Sequence, residues 1–128
     1  MKSTFTATVA VLLLVPMLVL VASAGEELAK DPSPDQFIPV DKPAEMTYQT
    51  TPTYPTIAVE MGVEGTVWIK TLVGKNGKAK KSIVAKSSGS KVLDDAALKA
   101  AAKNRFNPAY RDAQPVAVWL SYKVTFKL

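Results

Sequence analysis

Val116-Ala117-Val118-Trp119-Leu120-Ser121-Tyr122-Lys123-Val124-Thr125-Phe126-Lys127-Leu128 closes the chain and decides its fold. Val116, Val118, Leu120, Tyr122, Val124, Phe126 and Leu128 alternate with Ala117, Trp119, Ser121, Lys123, Thr125 and Lys127. Successive strand side chains point to opposite faces, so this period of two predicts one long strand with a buried and a solvated face. A face of that kind must be covered by something apolar.

Working backwards, Lys91 to Asn104 reads as the cover. Leu93, Ala97, Ala100 and Ala101 form a helical stripe of small side chains that lets a helix lie close on a sheet. Ser90 is placed to cap it, and Asp94 and Asp95 sit near the positive end of its dipole. Before it, Thr66 to Val73 alternates with Val67, Ile69, Thr71 and Val73 on one face and Trp68, Lys70 and Leu72 on the other. Gly74-Lys75-Asn76-Gly77 follows, where Asn-Gly signals a hairpin because both residues accept positive φ. Lys78 to Ser87 returns as the second strand. Tyr54-Pro55 opens a short helix over Thr56 to Met61, with Thr53 as cap and Gly62 as stop. The order helix, strand, strand, helix, strand predicts an α+β fold: a small antiparallel three-stranded sheet with two helices packed on one face.

The rest of the chain divides simply. Residues 25–51 hold Pro32, Pro34, Pro39 and Pro43 among acids and read as a semi-stiff linker, with Phe37-Ile38-Pro39-Val40 as its apolar patch. At about 3.1 Å per residue the stretch from Gly25 to Thr53 reaches roughly 90 Å. Residues 1–24 are an export segment. Lys2 is the only charge before Glu26, and Ala22-Ser23-Ala24 offers the small residues of a cleavage site before Gly25. The uncharged stretch is also long enough for an uncleaved anchor, since about 17–25 residues span a bilayer. Either way the folded part, 52–128, lies outside the cytoplasm, in the periplasm or cell envelope.

Composition excludes several classes of chemistry. With no cysteine and no histidine the chain has no thiolate, no disulfide and neither the commonest general base nor the commonest metal ligand. The net charge of +5 comes from lysines scattered along strands and helix without interleaved aromatics. That pattern, with export, argues against nucleic acid. Ser88-Gly89-Ser90-Lys91 satisfies a Ser-x-x-Lys pattern but lacks companion motifs, and Asp94 and Asp95 diverge on a helix. No catalytic, cofactor or metal site is expected.

Six motifs in order carry a resemblance. Pro52-Thr53-Tyr54-Pro55, Val63-Glu64-Gly65-Thr66-Val67, Asn76-Gly77-Lys78, Ser87-Ser88-Gly89 with Leu93-Asp94-Asp95-Ala96-Ala97-Leu98, Arg105-Phe106-Asn107-Pro108-Ala109, and Gln114-Pro115-Val116 resemble the C-terminal domains of TonB-type energy transducers. Thr51 stands where the family often has glutamine, Asn104 where it usually has tryptophan, and Asp112-Ala113 where it has Asn-Gly. The linker is also shorter than the spacers typical of such transducers.

The resemblance implies a binding module that captures a peptide of an outer-membrane TonB-dependent receptor by strand addition, in support of transmembrane transport. The residues it assigns to partner binding are Pro52, Tyr54 and Pro55 in the opening motif and Val116, Val118, Leu120, Tyr122 and Val124 in the last strand. If the chain stays anchored, inner-membrane motor subunits are further partners. If it is cleaved, it is a free envelope-binding module. A strand-paired homodimer is a third possibility. Lys123 and Lys127 read either as edge-blunting charges or as recognition groups. Trp68 and Trp119 fall on the polar faces of their strands. If those strands are neighbours the indoles sit together, as an exposed contact patch or as a cross-strand pair that stabilises the sheet.

Overall fold

Residues 30–128 are described by a computed structural model; the export segment read at 1–24 lies outside them. The strands are β1 (Glu45–Tyr48), β2 (Gly65–Val73), β3 (Ala79–Lys86), β4 (Arg105–Asn107), β5 (Ala109–Arg111), β6 (Gln114–Val116) and β7 (Val118–Phe126). The helices are α1 (Thr56–Glu60) and α2 (Lys91–Ala101). Three strands form the main sheet in the order β3-β2-β7, all antiparallel, and β1-β4 and β5-β6 form two small ribbons. The family of elements is the expected α+β arrangement.

The alternation in β2 and β7 sorts the side chains as the sequence predicts. Val67 and Ile69 of β2 and Val124 and Phe126 of β7 are buried against Leu93, Ala97 and Ala101 of α2 and Ala58 of α1. Burying apolar area at roughly 25 cal/mol per Å² holds both helices on this face. A second cluster joins Val73, Phe106, Ala109 and Ala44, with Val40 and Met46 of the preceding segment packed on it. That segment is therefore structured from Pro32 onward: β1 pairs with β4, with Met46 opposite Phe106, and Lys42 bridges Tyr110.

Four local expectations are corrected. The terminal strand is not continuous from Val116: Val116 pairs with Ala109 in β6, whereas Val118 pairs with Val73 in β7. One straight strand cannot serve two differently placed ladders, so the chain bends at Ala117. The β2–β3 turn is a three-residue loop in which Gly77 alone takes positive φ, at 78°. Gly77 N–H donates to Gly74 O at 3.0 Å, and Asn76 Oδ1 accepts from Lys78 N–H at 3.1 Å. This is a type I turn followed by a left-handed residue, so Asn76 contributes a side-chain acceptor and not a backbone of positive φ. Third, α1 starts after Pro55, not under a Thr53 cap, and Ser90 occupies the α2 N-cap without a side-chain cap bond. Finally, α2 stops at Ala101, where Asn104 N–H turns back to Ala101 O.

Candidate functional site

A three-stranded sheet has two edges, and here they differ. The β2–β3 ladder is interrupted between Trp68 and Ile69 and again between Leu72 and Val73, and β3 carries Lys80, Lys81 and Lys86. Bulges and lysines are the usual protections of an edge. β7 pairs with β2 without a slip from Gly65↔Phe126 to Val73↔Val118, and Lys123 is its only charged residue. Its other side has no strand partner among the described residues. Val118, Leu120, Tyr122 and Val124 turn their side chains towards the two clusters under the sheet. They anchor the strand, and the backbone is what the edge presents.

Tyr122 fixes β7 through a polar chain. Its hydroxyl meets Thr71 Oγ1 at 2.8 Å and accepts from Asn104 Nδ2 at 3.2 Å. Thr71 Oγ1 also meets Ser82 Oγ at 2.9 Å, and Asn104 Oδ1 accepts Thr50 N–H at 2.7 Å. Both Thr71 and Asn104 are buried. The chain joins β3, β2 and β7 to the turn after α2 and to the segment before Pro52. Burial pushes the Tyr122 hydroxyl pKa up, and the bonds to Thr71 and Asn104 only partly offset it. The sequence marks Asn104 only as a departure from the family's usual tryptophan, and nothing local to it signals this role.

The opening motif meets the edge at one point. The Tyr54 ring stands edge-on to Phe126, the last residue of β7, with centroids 5.4 Å apart and planes at 83°. Its hydroxyl donates to Val63 O, and burial, then the Glu64 charge, raises its pKa. Pro52 and Pro55 face elsewhere: with Val92, Ala96 and Lys99 of α2 they line a groove of about 450 Å³.

Trp68 and Trp119 share the face of the sheet opposite the helices but do not sit together. Trp68 is level with Lys123 and Trp119 with Leu72, four residues along β2, or about 13 Å. Trp68 is 43 % exposed. Trp119 is half-buried, and its Nε1–H donates to Pro32 O at 2.7 Å. Asp35 adds an ion pair with Lys70 at 3.1 Å. These contacts come from the Pro32–Asp35 strap, whereas Phe37 of the linker's apolar patch is 86 % exposed. The ion pair involves an Asp35 side chain 93 % exposed, a setting worth about 0–1 kcal/mol.

The Ser-x-x-Lys segment is occupied structurally. Ser88 Oγ and N–H donate to Asp94 Oδ1 at 2.8 and 3.0 Å, and Ser87 Oγ donates to Asp94 Oδ2. Lys91 pairs instead with Asp95 at 2.9 Å. Burial acts to raise the Asp94 pKa, but the Ser87 and Ser88 bonds and Lys91 outweigh it and hold the carboxyl below its usual value. Among the described residues no cluster of acids is placed to hold a metal ion.

The comparisons agree with this architecture. Residues 50–128 match the family described as Gram-negative bacterial TonB protein C-terminal. Protein TonB of Vibrio cholerae is 40% identical over 93 residues, covering 73% of this chain and 38% of that protein. Protein tonB2 of Pseudomonas aeruginosa is 40% identical over 77 residues, covering 60% of this chain and 28% of that protein. The chain thus spans well under half the length of these curated relatives. The solution NMR structure of the Pseudomonas aeruginosa TonB CTD superposes with a TM-score of 0.56 at 27% identity, covering 69% of this chain and 89% of that one. With its family match over most of its length and a fold shared with a solved relative, the chain belongs to the TonB C-terminal family.

Proposed function

We propose that this chain is a TonB-like, non-enzymatic binding module, exported from the cytoplasm, that engages an extended peptide of an outer-membrane receptor by strand addition along β7 in support of transport. The observation that carries the reading is the contrast between the two edges. β7 is slip-free and nearly uncharged, and β3 is bulged and lysine-rich. Backbone hydrogen bonds from such an edge supply much of the affinity for an added strand. Tyr54 acts beside it by holding the Phe126 end of the strand in place, while Pro52 and Pro55 set the path of the opening motif along α2. In an anchored form the chain also engages inner-membrane motor subunits; in a cleaved form it binds without transmitting force. Residues 52–128 are the binding domain and 1–24 the export segment in both.

A scan of N-methylated receptor peptides tests it. An added strand directs alternate N–H groups at the edge, so methylation should weaken binding at every second position. Uniform tolerance, or loss at every position, contradicts strand addition.

A further inference from the structure

The three main strands contain Lys70, Lys80, Lys81, Lys86 and Lys123 and no acidic residue. Their register places four of these on the helix-free face. Trp68 has Lys86 opposite it on one side and Lys123 on the other, Lys70 stands two residues on, and Lys81 is opposite Leu72. At one end of this face lies the Pro32–Asp35 strap, held by Trp119 Nε1 to Pro32 O at 2.7 Å and by Lys70 to Asp35 at 3.1 Å. An acidic, proline-containing segment, folded into a turn at Ser33–Gln36 where Gln36 N–H donates to Ser33 O at 3.0 Å, therefore already uses both recognition groups the face repeats: an indole and a lysine ammonium. The other end, around Trp68, repeats the pair with no strap over it among the described residues, and Trp68 is 43 % exposed there.

We infer that the helix-free face of the sheet is a docking surface for an acidic, proline-containing peptide of a partner protein, which sits across Trp68, Lys86 and Lys123 beside the resident strap. Charge complementarity sets the class of partner. An aromatic ring suits proline, whose rigid ring stacks on it with little conformational entropy to lose. A second copy is disfavoured as the source, because the strap of each copy is engaged in cis. This face is separate from the β7 edge used in the proposed function, so either reading can fail alone.

The probe is a synthetic peptide of residues 25–36, Gly-Glu-Glu-Leu-Ala-Lys-Asp-Pro-Ser-Pro-Asp-Gln, added in trans to the whole chain while tryptophan emission is followed. Saturable binding is expected, weakened severalfold between low and physiological salt, because the attraction is electrostatic. The Lys81→Gln/Lys86→Gln variant, altered on the strand remote from β7, should lose about tenfold in affinity with its thermal midpoint unchanged. A peptide with its acids replaced by Gln and Asn should not bind. Equal binding of that neutral peptide, or undiminished binding by the variant, overturns the inference. So does binding to phosphatidylglycerol vesicles without binding to the peptide, which would make the face a membrane contact. A peptide-independent dimer lost in the same variant would assign the face to self-association and also overturn it.

Discussion

Gly77 and Phe106 lie back to back: Phe106 N–H donates to Gly77 O at 2.8 Å, and a Cβ on Gly77 would stand 2.2 Å from Phe106 O. The β2–β3 turn is thereby locked onto β4, with no room for a side chain and with φ in the left-handed region.

Gly77→Ala is expected to destabilise by more than about 2 kcal/mol, since left-handed strain alone costs roughly 1–2 kcal/mol and the backbone must also shift. Gly62→Ala is the matched control. Its φ is +66° but nothing lies within 4 Å, so only the strain is felt. Chemical denaturation of both variants checks the difference.

Asp112 and Ala113 form the two-residue turn of the β5–β6 hairpin with φ of 51° and 62°. Asp tolerates that region, but Ala has no compensating side-chain bond. Ala113→Gly should stabilise by about 0.5–1 kcal/mol after the added unfolded-state entropy of glycine is counted. A raised thermal midpoint is the expected result.

Tyr122→Phe removes the hydroxyl that joins Thr71 to Asn104 and leaves Asn104 Nδ2 without that acceptor. The expected cost is about 1–3 kcal/mol. At roughly 4–8 °C per kcal/mol for a domain this size, calorimetry resolves it readily. Ser82→Ala, at the outer end of the same chain, should cost less.

Stability should be flat through neutral pH, because the chain has no histidine. The Asp94 carboxyl has a lowered folded pKa, so its contribution is fully present above its unfolded value near 3.8 and is lost as pH falls through the folded value. Tyr54 and Tyr122 have raised values. Their contribution is complete below the unfolded value of 10.0 and disappears as pH rises through the folded ones. Asp94→Asn should flatten the acid limb and leave the alkaline limb alone in a pH series of melts.

Periodicity made the fold legible. Val67, Ile69, Val124 and Phe126 alternate cleanly, and the stripe Leu93, Ala97, Ala100, Ala101 repeats at helical spacing, because both patterns record which face is dry. The edge was legible only in part. Alternation shows that Val118 to Phe126 is a strand but not where Ala117 bends it away from Val116, since that depends on partners far along the chain. The Pro32–Asp35 strap and the Thr50–Asn104–Tyr122 chain have no periodicity to reveal them. Each is a long-range contact, 87 residues apart for Trp119 and Pro32 and 54 for Thr50 and Asn104, so local pattern carries no trace of it. The two tryptophans were rightly placed on one face, yet their distance along it needed the register.

The central claim, that β7 is the docking edge, is tested most directly by titrating the isotopically labelled chain with a receptor peptide and following backbone amide shifts by NMR. The account predicts that shifts concentrate on Val118 to Phe126, with the Ala79 to Lys86 edge quiet. Shifts centred on Ala79 to Lys86, or on the groove between Pro52 and α2 with β7 unmoved, would contradict it.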